Sequence, residues 1–177
     1  MQIQSIENLI KLISKLPGLG PRSARRIVLQ LIKNPQNIML PLSQALEEVA
    51  NEIKKCTLCG NVDVVSPCSI CSSEKRDKET ICVVEDVTDL WAIERGNFYS
   101  GQYHVLGGTL SALDGRTPDK LNMESLKARV ANGNISEVII ATGATLEGQT
   151  TGYYISDMIK PFNVKSSRLA HGIPVGG

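Results

Sequence analysis

CTLCGNVDVVSPCSIC, residues 56–71, places Cys56, Cys59, Cys68 and Cys71 as two C-x-x-C pairs with eight residues between them. Each short spacing lets two thiolates reach one metal, and the loop between lets the pairs face each other around a tetrahedral zinc ion. Gly60, directly after Cys59, supplies a tight-turn position without Cβ strain. A redox C-x-x-C usually stands alone, so two pairs favour a metal over a redox couple. Four buried free thiols would leave the paired spacing without a reason. The expectation is one structural Zn²⁺ per chain.

The chain has 177 residues, enough for one medium domain or two to three small ones. No apolar run is long enough to span a bilayer. The start, MQIQSIENLI, lacks a charged region followed by an apolar block, so no signal peptide is expected. A reducing, cytoplasmic compartment follows from this, and there paired cysteines serve as metal ligands more often than as disulfides. The net charge of +1 by itself predicts no nucleic acid. Its distribution says more: residues 1–40 carry Lys11, Lys15, Arg22, Arg25, Arg26 and Lys33 against Glu7 alone. A basic head on an acidic body reads either as a localised electrostatic footprint or as a solvated helix face.

Before the cysteines the periodicity is helical. Ile6, Leu9, Ile10, Ile13 and Leu16 share one face, with Ser5 as the expected N-cap. Pro17-Gly18-Leu19-Gly20-Pro21 breaks that helix, and Pro21 suits the first turn of the next. Ala24, Ile27, Val28, Leu31 and Ile32 form the second buried stripe, ended by Asn34-Pro35. A third helix is expected over residues 42–55, with Leu42, Leu46, Val49 and Ile53 facing inward. Between the first two helices, Gly18 and Gly20 let the backbone bend and come close to a ligand. The helix beyond offers unpaired N–H groups to an anion. Arg22 and Arg26 are i,i+4 with Arg25 beside them, so backbone donors and guanidinium groups could together grip a phosphate backbone without reading bases. The competing reading is a plain helical corner with solvated arginines.

After a charged linker the pattern changes to alternating strands and helices. Strands are expected at residues 81–85, 103–106, 137–141 and 164–167, and helices at 87–95, around 121–130 and at 151–160. That alternation predicts a mostly parallel sheet covered by helices. The fold class is therefore α/β multidomain: a helical head, a small four-cysteine module and a parallel α/β body.

The glycine-bearing helical corner resembles a helix-hairpin-helix motif. The order of that motif, the four-cysteine module and an α/β segment opening ICVVEDVTDLWAIERG resembles the RecR family of bacterial recombination mediators. YHVLGGTLSALDG, ATGATLEGQTTGYYI and LAHGIPVGG extend the resemblance over essentially the whole chain. It implies a helix-hairpin-helix domain at 1–55, a zinc finger at 56–71 and a Toprim domain at 79–177. Catalytic Toprim domains carry a glutamate after the first strand and an Asp-x-Asp pair after a later one, to hold Mg²⁺. By resemblance the glutamate falls on Glu85, but the paired aspartates fall on Gly143 and Thr145, which hold no carboxylate. The family usually carries Asn-Pro at Gly143-Ala144 and an acidic residue at Gln149, two further departures. The domain is thus expected to be a binding platform, the alternative being a nuclease or primase-like phosphoryl-transfer enzyme that uses Glu85. Glu85, Asp86 and Glu147 read either as an acidic docking patch for a basic partner or as ordinary solvated carboxylates.

The resemblance further implies a non-enzymatic DNA repair protein, cytoplasmic and nucleoid-associated. It would work with RecO and RecF at gapped DNA and help load RecA on strands coated by single-strand-binding protein. It would close as a homotetrameric ring around DNA, with the hairpins as the main contact. Family members continue past Gly176-Gly177, and their tail is expected to complete the Toprim region. Cys82 reads as a buried apolar thiol, while His104 and His171 lack a second histidine nearby. Tyr99, Tyr103, Tyr153 and Tyr154 read as packing or interface residues. Lys54, Lys55, Lys75 and Arg76 bracket the cysteines, where they either offset the negative four-thiolate site or touch DNA.

Overall fold

The computed structural model describes residues 4–169, and the family-like run from Ala170 onward, with His171, lies outside them. The chain forms two compact units, Met1–Glu52 and Ile53–Gly177.

In the first unit, α1 (Gln4–Ile13) and α2 (Pro21–Lys33) pack as a hairpin. Ile10, Ala24 and Val28 are its buried centre, closed by Ile6, Leu9 and Ile13. Asn34-Pro35 ends α2, but the chain stays helical through a π turn, Pro35–Met39, into α3 (Leu40–Glu52). Proline at the first position of the new turn loses no bond, which is why it restarts a helix. The inward stripe expected on α3 is corrected here: Leu42, Leu46, Val49 and Ile53 are all exposed, Leu46 by 63%. The stripe has helical spacing, but α3 buries no residue against its own unit.

The second unit begins with the hairpin β1 (Lys54–Lys55) and β2 (Val62–Asp63), followed by one helical turn, α4 (Ser69–Ser72). Its body is a four-stranded parallel sheet in the order β4-β3-β5-β6. The strands are β3 (Thr80–Val84), β4 (Gln102–Val105), β5 (Glu137–Ala141) and β6 (Lys165–Arg168). The helices are α5 (Val87–Gly96), α6 (Met123–Asn132) and α7 (Leu146–Ile159). Ile81, Val83, Val138 and Ile140 face a core completed by Leu126, Val130, Ile155 and Ile159 of α6 and α7. Cys82, Val84, Tyr103 and Val105 face Leu90 of α5. Central β3 is buried on both faces, as its continuous apolar run requires. Among the described residues, no helix is long and apolar enough to cross a membrane.

Candidate metal centre and nucleic-acid interface

The four cysteines converge, with all four Sγ atoms within 4.8 Å of one another. Two of the separations are 3.6 Å (Cys59–Cys68) and 3.9 Å (Cys56–Cys71). Zinc–sulfur bonds of ~2.3 Å in a tetrahedron put sulfurs roughly 3.8 Å apart, whereas a disulfide needs ~2.05 Å. The donor set therefore fits a zinc ion and excludes a disulfide. Local structure holds it: the β1–β2 hairpin closes with Cys56 N–H donating to Asn61 O at 2.7 Å. Asp63 accepts from Ser69 N–H (2.8 Å) and Ser69 Oγ (2.9 Å), which fastens the first knuckle to the second. Backbone N–H groups of Asn61 and Cys68 point at the sulfurs of Cys59 and Cys56, at 3.4 and 3.3 Å. Burial works to raise the Cys56 thiol, but N–H donors from Cys59, Cys68 and Leu58 outweigh it and bring the pKa down to about 6. The hydrogen bond with Cys71, and burial after it, push Cys59 up. Backbone donors alone thus favour one thiolate, and four together need a dication.

The module is seated on the sheet. Val105 N–H donates to Cys59 O at 2.7 Å, and Ile70 packs against both the cysteine cluster and the α5 side of the sheet. Gly60 sits at φ +77°, and a Cβ there would lie 3.0 Å from both Asn122 Nδ2 and Val105 O. Gly60→Ala is therefore expected to cost about 2 kcal/mol, from left-handed backbone strain and the close backbone oxygen together. Chemical denaturation measures it, and zinc content should stay at one per chain. Beside the module His104 is buried, with Nε2 2.8 Å from Asn122 O and Nδ1 3.3 Å from an Arg129 nitrogen. Burial brings its pKa down to about 4, so it stays neutral at physiological pH, with a packing role. Arg76 pairs with Glu94, which also accepts from the Tyr103 hydroxyl at 2.7 Å, so Arg76 anchors the linker to α5.

In the first unit, the α1–α2 corner turns through Gly18 at φ +76°, a conformation that favours glycine. Gly20 has an extended backbone and leads into α2, whose first residue is Pro21. A Cβ at Gly18 or Gly20 would meet no atom within 4 Å. Neither glycine is needed for internal packing, and the bare backbone leaves room for something from outside. Arg22, Arg25 and Arg26 are exposed, while Ala24 and Val28 point the other way into the core. Among the described residues no carboxylate pairs with these arginines.

Among the described residues the acidic side chains do not converge on a metal site. Glu85 accepts from Gly143 N–H at 2.6 Å, bridging the ends of β3 and β5, and Gly148 packs so closely beneath that a Cβ would strike Gly143 O. Asp86 caps α5, accepting from Thr88 N–H, while Asp89 accepts from Asp86 N–H. Glu147 accepts from Ser111 Oγ at 3.0 Å. Among the described residues the cysteines are the only metal-donor group of three or more that comes together. The Glu85–Gly143 bridge joins residues 58 apart and has no local sequence signal. Cys82 is buried within β3, as its surroundings predict.

Three family models match the chain: a RecR helix-hairpin-helix over residues 6–50, a RecR four-cysteine zinc finger over 53–73 and a Toprim domain over 79–170. Among similar proteins, the recombination protein RecR of Mesorhizobium japonicum is 55% identical over 172 residues, covering 97% of this chain and 86% of the relative. The recombination proteins RecR of Brucella melitensis and Brucella anthropi match with the same identity and coverage. The converging thiols and the zinc-finger match together make this a structural zinc centre.

Proposed function

Since this chain belongs to the RecR family of recombination proteins, we propose that it is a non-enzymatic recombination mediator that grips the DNA backbone through its α1–α2 corner. Gly18 and Gly20 bring the backbone up to a phosphate, and Arg22, Arg25 and Arg26 neutralise it. The observation that carries this reading is the pair of glycines with open space above them beside three exposed arginines. Binding of this kind is sequence-tolerant and falls steeply with salt. Cys56, Cys59, Cys68 and Cys71 hold the zinc, which keeps the finger folded against the sheet. The domain division that goes with these roles is helix-hairpin-helix at 1–55, finger at 56–71 and Toprim from 79.

Within the same reading the protein acts in the bacterial cytoplasm at gapped DNA, with RecO and RecF, and helps load RecA. It assembles as a homotetrameric ring. The exposed stripe Leu42, Leu46, Val49 on α3 supports self-association, because an apolar row of this kind calls for a partner. Several weak phosphate grips on one ring add through multivalency. Glu85, Asp86 and Glu147 stand at the carboxyl end of the sheet as a docking patch for a basic partner.

The Toprim match gives the alternative, a Mg²⁺-dependent phosphoryl-transfer enzyme using Glu85, its footing. Against it, Gly143 and Thr145 supply no carboxylates and the Glu85 carboxylate is engaged by Gly143 N–H. With Mg²⁺ and gapped DNA the protein is expected to show no cleavage or joining, and Glu85→Gln no change. Turnover that disappears in Glu85→Gln would establish the enzyme instead. The grip itself is tested by removing Arg22 and Arg26.

A further inference from the structure

Outside the finger and the hairpin, α7 and β6 of the second unit enclose an open groove of about 520 Å³ bounded by Tyr153, Lys160, Ser166 and Arg168. Tyr153 is the most exposed of the four tyrosines, ahead of its neighbour Tyr154. Two of the four tyrosines, Tyr99 and Tyr103, pack edge to face at 5.0 Å between α5 and the sheet. Tyr153 is 63% exposed, and its ring face carries the Arg168 guanidinium 4.0 Å from the centroid. The site is shaped from below: α7 reaches the sheet at Gly152, where a Cβ would lie 3.2 Å from Ile140 and 3.5 Å from Arg168 Cζ. Ser156 and Ser166 meet on the groove floor at 3.0 Å. Lys160 flanks it with an exposed ammonium group, beside the Asp157 carboxylate at 2.6 Å.

An exposed aromatic ring, a planar cation on it, an ammonium group and two hydroxyls match what an unpaired nucleotide requires. Bases stack on such rings whatever their sequence, and cations follow the backbone. An acidic peptide would use the cations and leave the ring without a role. In a duplex the bases already stack on each other, so a side-chain ring cannot reach a base face. We infer that this groove is a second nucleic-acid contact, one that takes single-stranded DNA with a base on Tyr153 and phosphates near Arg168 and Lys160. This rests on the reading of the protein as DNA-binding and adds a strand preference to it.

The test uses the zinc-bound full chain, a fluorescein-labelled oligothymidylate and a blunt duplex of equal length. Tyr153→Ala is expected to weaken the single strand about tenfold and leave the duplex within about twofold. Tyr153→Phe, which keeps the ring, should bind the single strand within about twofold of the parent. Arg22→Ala with Arg26→Ala should weaken both probes, so failure of the hairpin grip and failure of the groove are distinguishable. A direct signal comes from Tyr153→Trp in a Trp91→Phe background, where oligothymidylate should quench the fluorescence on binding. Absence of quenching overturns the proposal, as does single-strand affinity unchanged by Tyr153→Ala. Loss of a protein partner in Tyr153→Ala, with oligothymidylate binding intact, would make the groove a protein-docking surface and equally overturn it.

Discussion

Cys56→Ser is expected to lose the zinc and melt the finger, a larger effect than any substitution outside the four cysteines should have. A structural zinc contributes on the order of 10 kcal/mol to a small module. Little else holds this one together: β1 and β2 are two residues each, α4 is a single turn, and apart from Ile70 the centre is sulfur. The loss should spread, because Cys59 O receives Val105 N–H and Ile70 closes one side of the sheet core. Zinc measured by mass spectrometry should fall from one per chain to near zero, with a lower melting temperature for the whole second unit. Unchanged zinc content would refute the ligand assignment. Zinc loss with an unchanged melt would refute the coupling of finger to sheet.

Arg22→Ala with Arg26→Ala is expected to reduce affinity for duplex and gapped DNA by at least about 100-fold, without a change in fold. Both side chains are exposed and make no ion pair among the described residues, so stability should change by less than ~0.5 kcal/mol. Each phosphate that is no longer neutralised lowers the slope of log affinity against log salt by about 0.9. Removing both guanidinium groups therefore flattens the slope by nearly 2 for each hairpin engaged. Fluorescence anisotropy across a salt series reads both quantities. An unaltered slope would mean that the arginines are solvated bystanders and that DNA is held elsewhere.

What could be read from the sequence was local. The cysteine pairs announce their metal because chelation within a pair depends only on spacing. The α1–α2 corner is legible because Gly18, Gly20 and Pro21 constrain the backbone where they stand, and β3 and β5 are legible as short apolar runs. Failures arose where distant partners decide. The stripe of Leu42, Leu46 and Val49 has perfect helical spacing, yet periodicity tells only that a face is apolar, not what covers it. Helix α7 starts at Leu146 rather than residue 151, because Thr145 caps it by accepting from Gly148 N–H and the intervening Gly148 looks like a loop signal. The bond between Glu85 and Gly143 has no signature at all, since only the side-by-side placement of β3 and β5 brings those residues together. The same holds for Tyr153 and Arg168, on α7 and β6.

The seat of the finger on Val105 carries a consequence for how a ribosome delivers this chain. All four thiols leave the exit tunnel more than thirty residues before β4 is available. The loop that joins them is short, so the ion can be captured while the sheet is still unmade. The nascent protein then presents a finished, metal-locked platform, and the carbonyl of Cys59 awaits β4 as a ready-made docking point during translation.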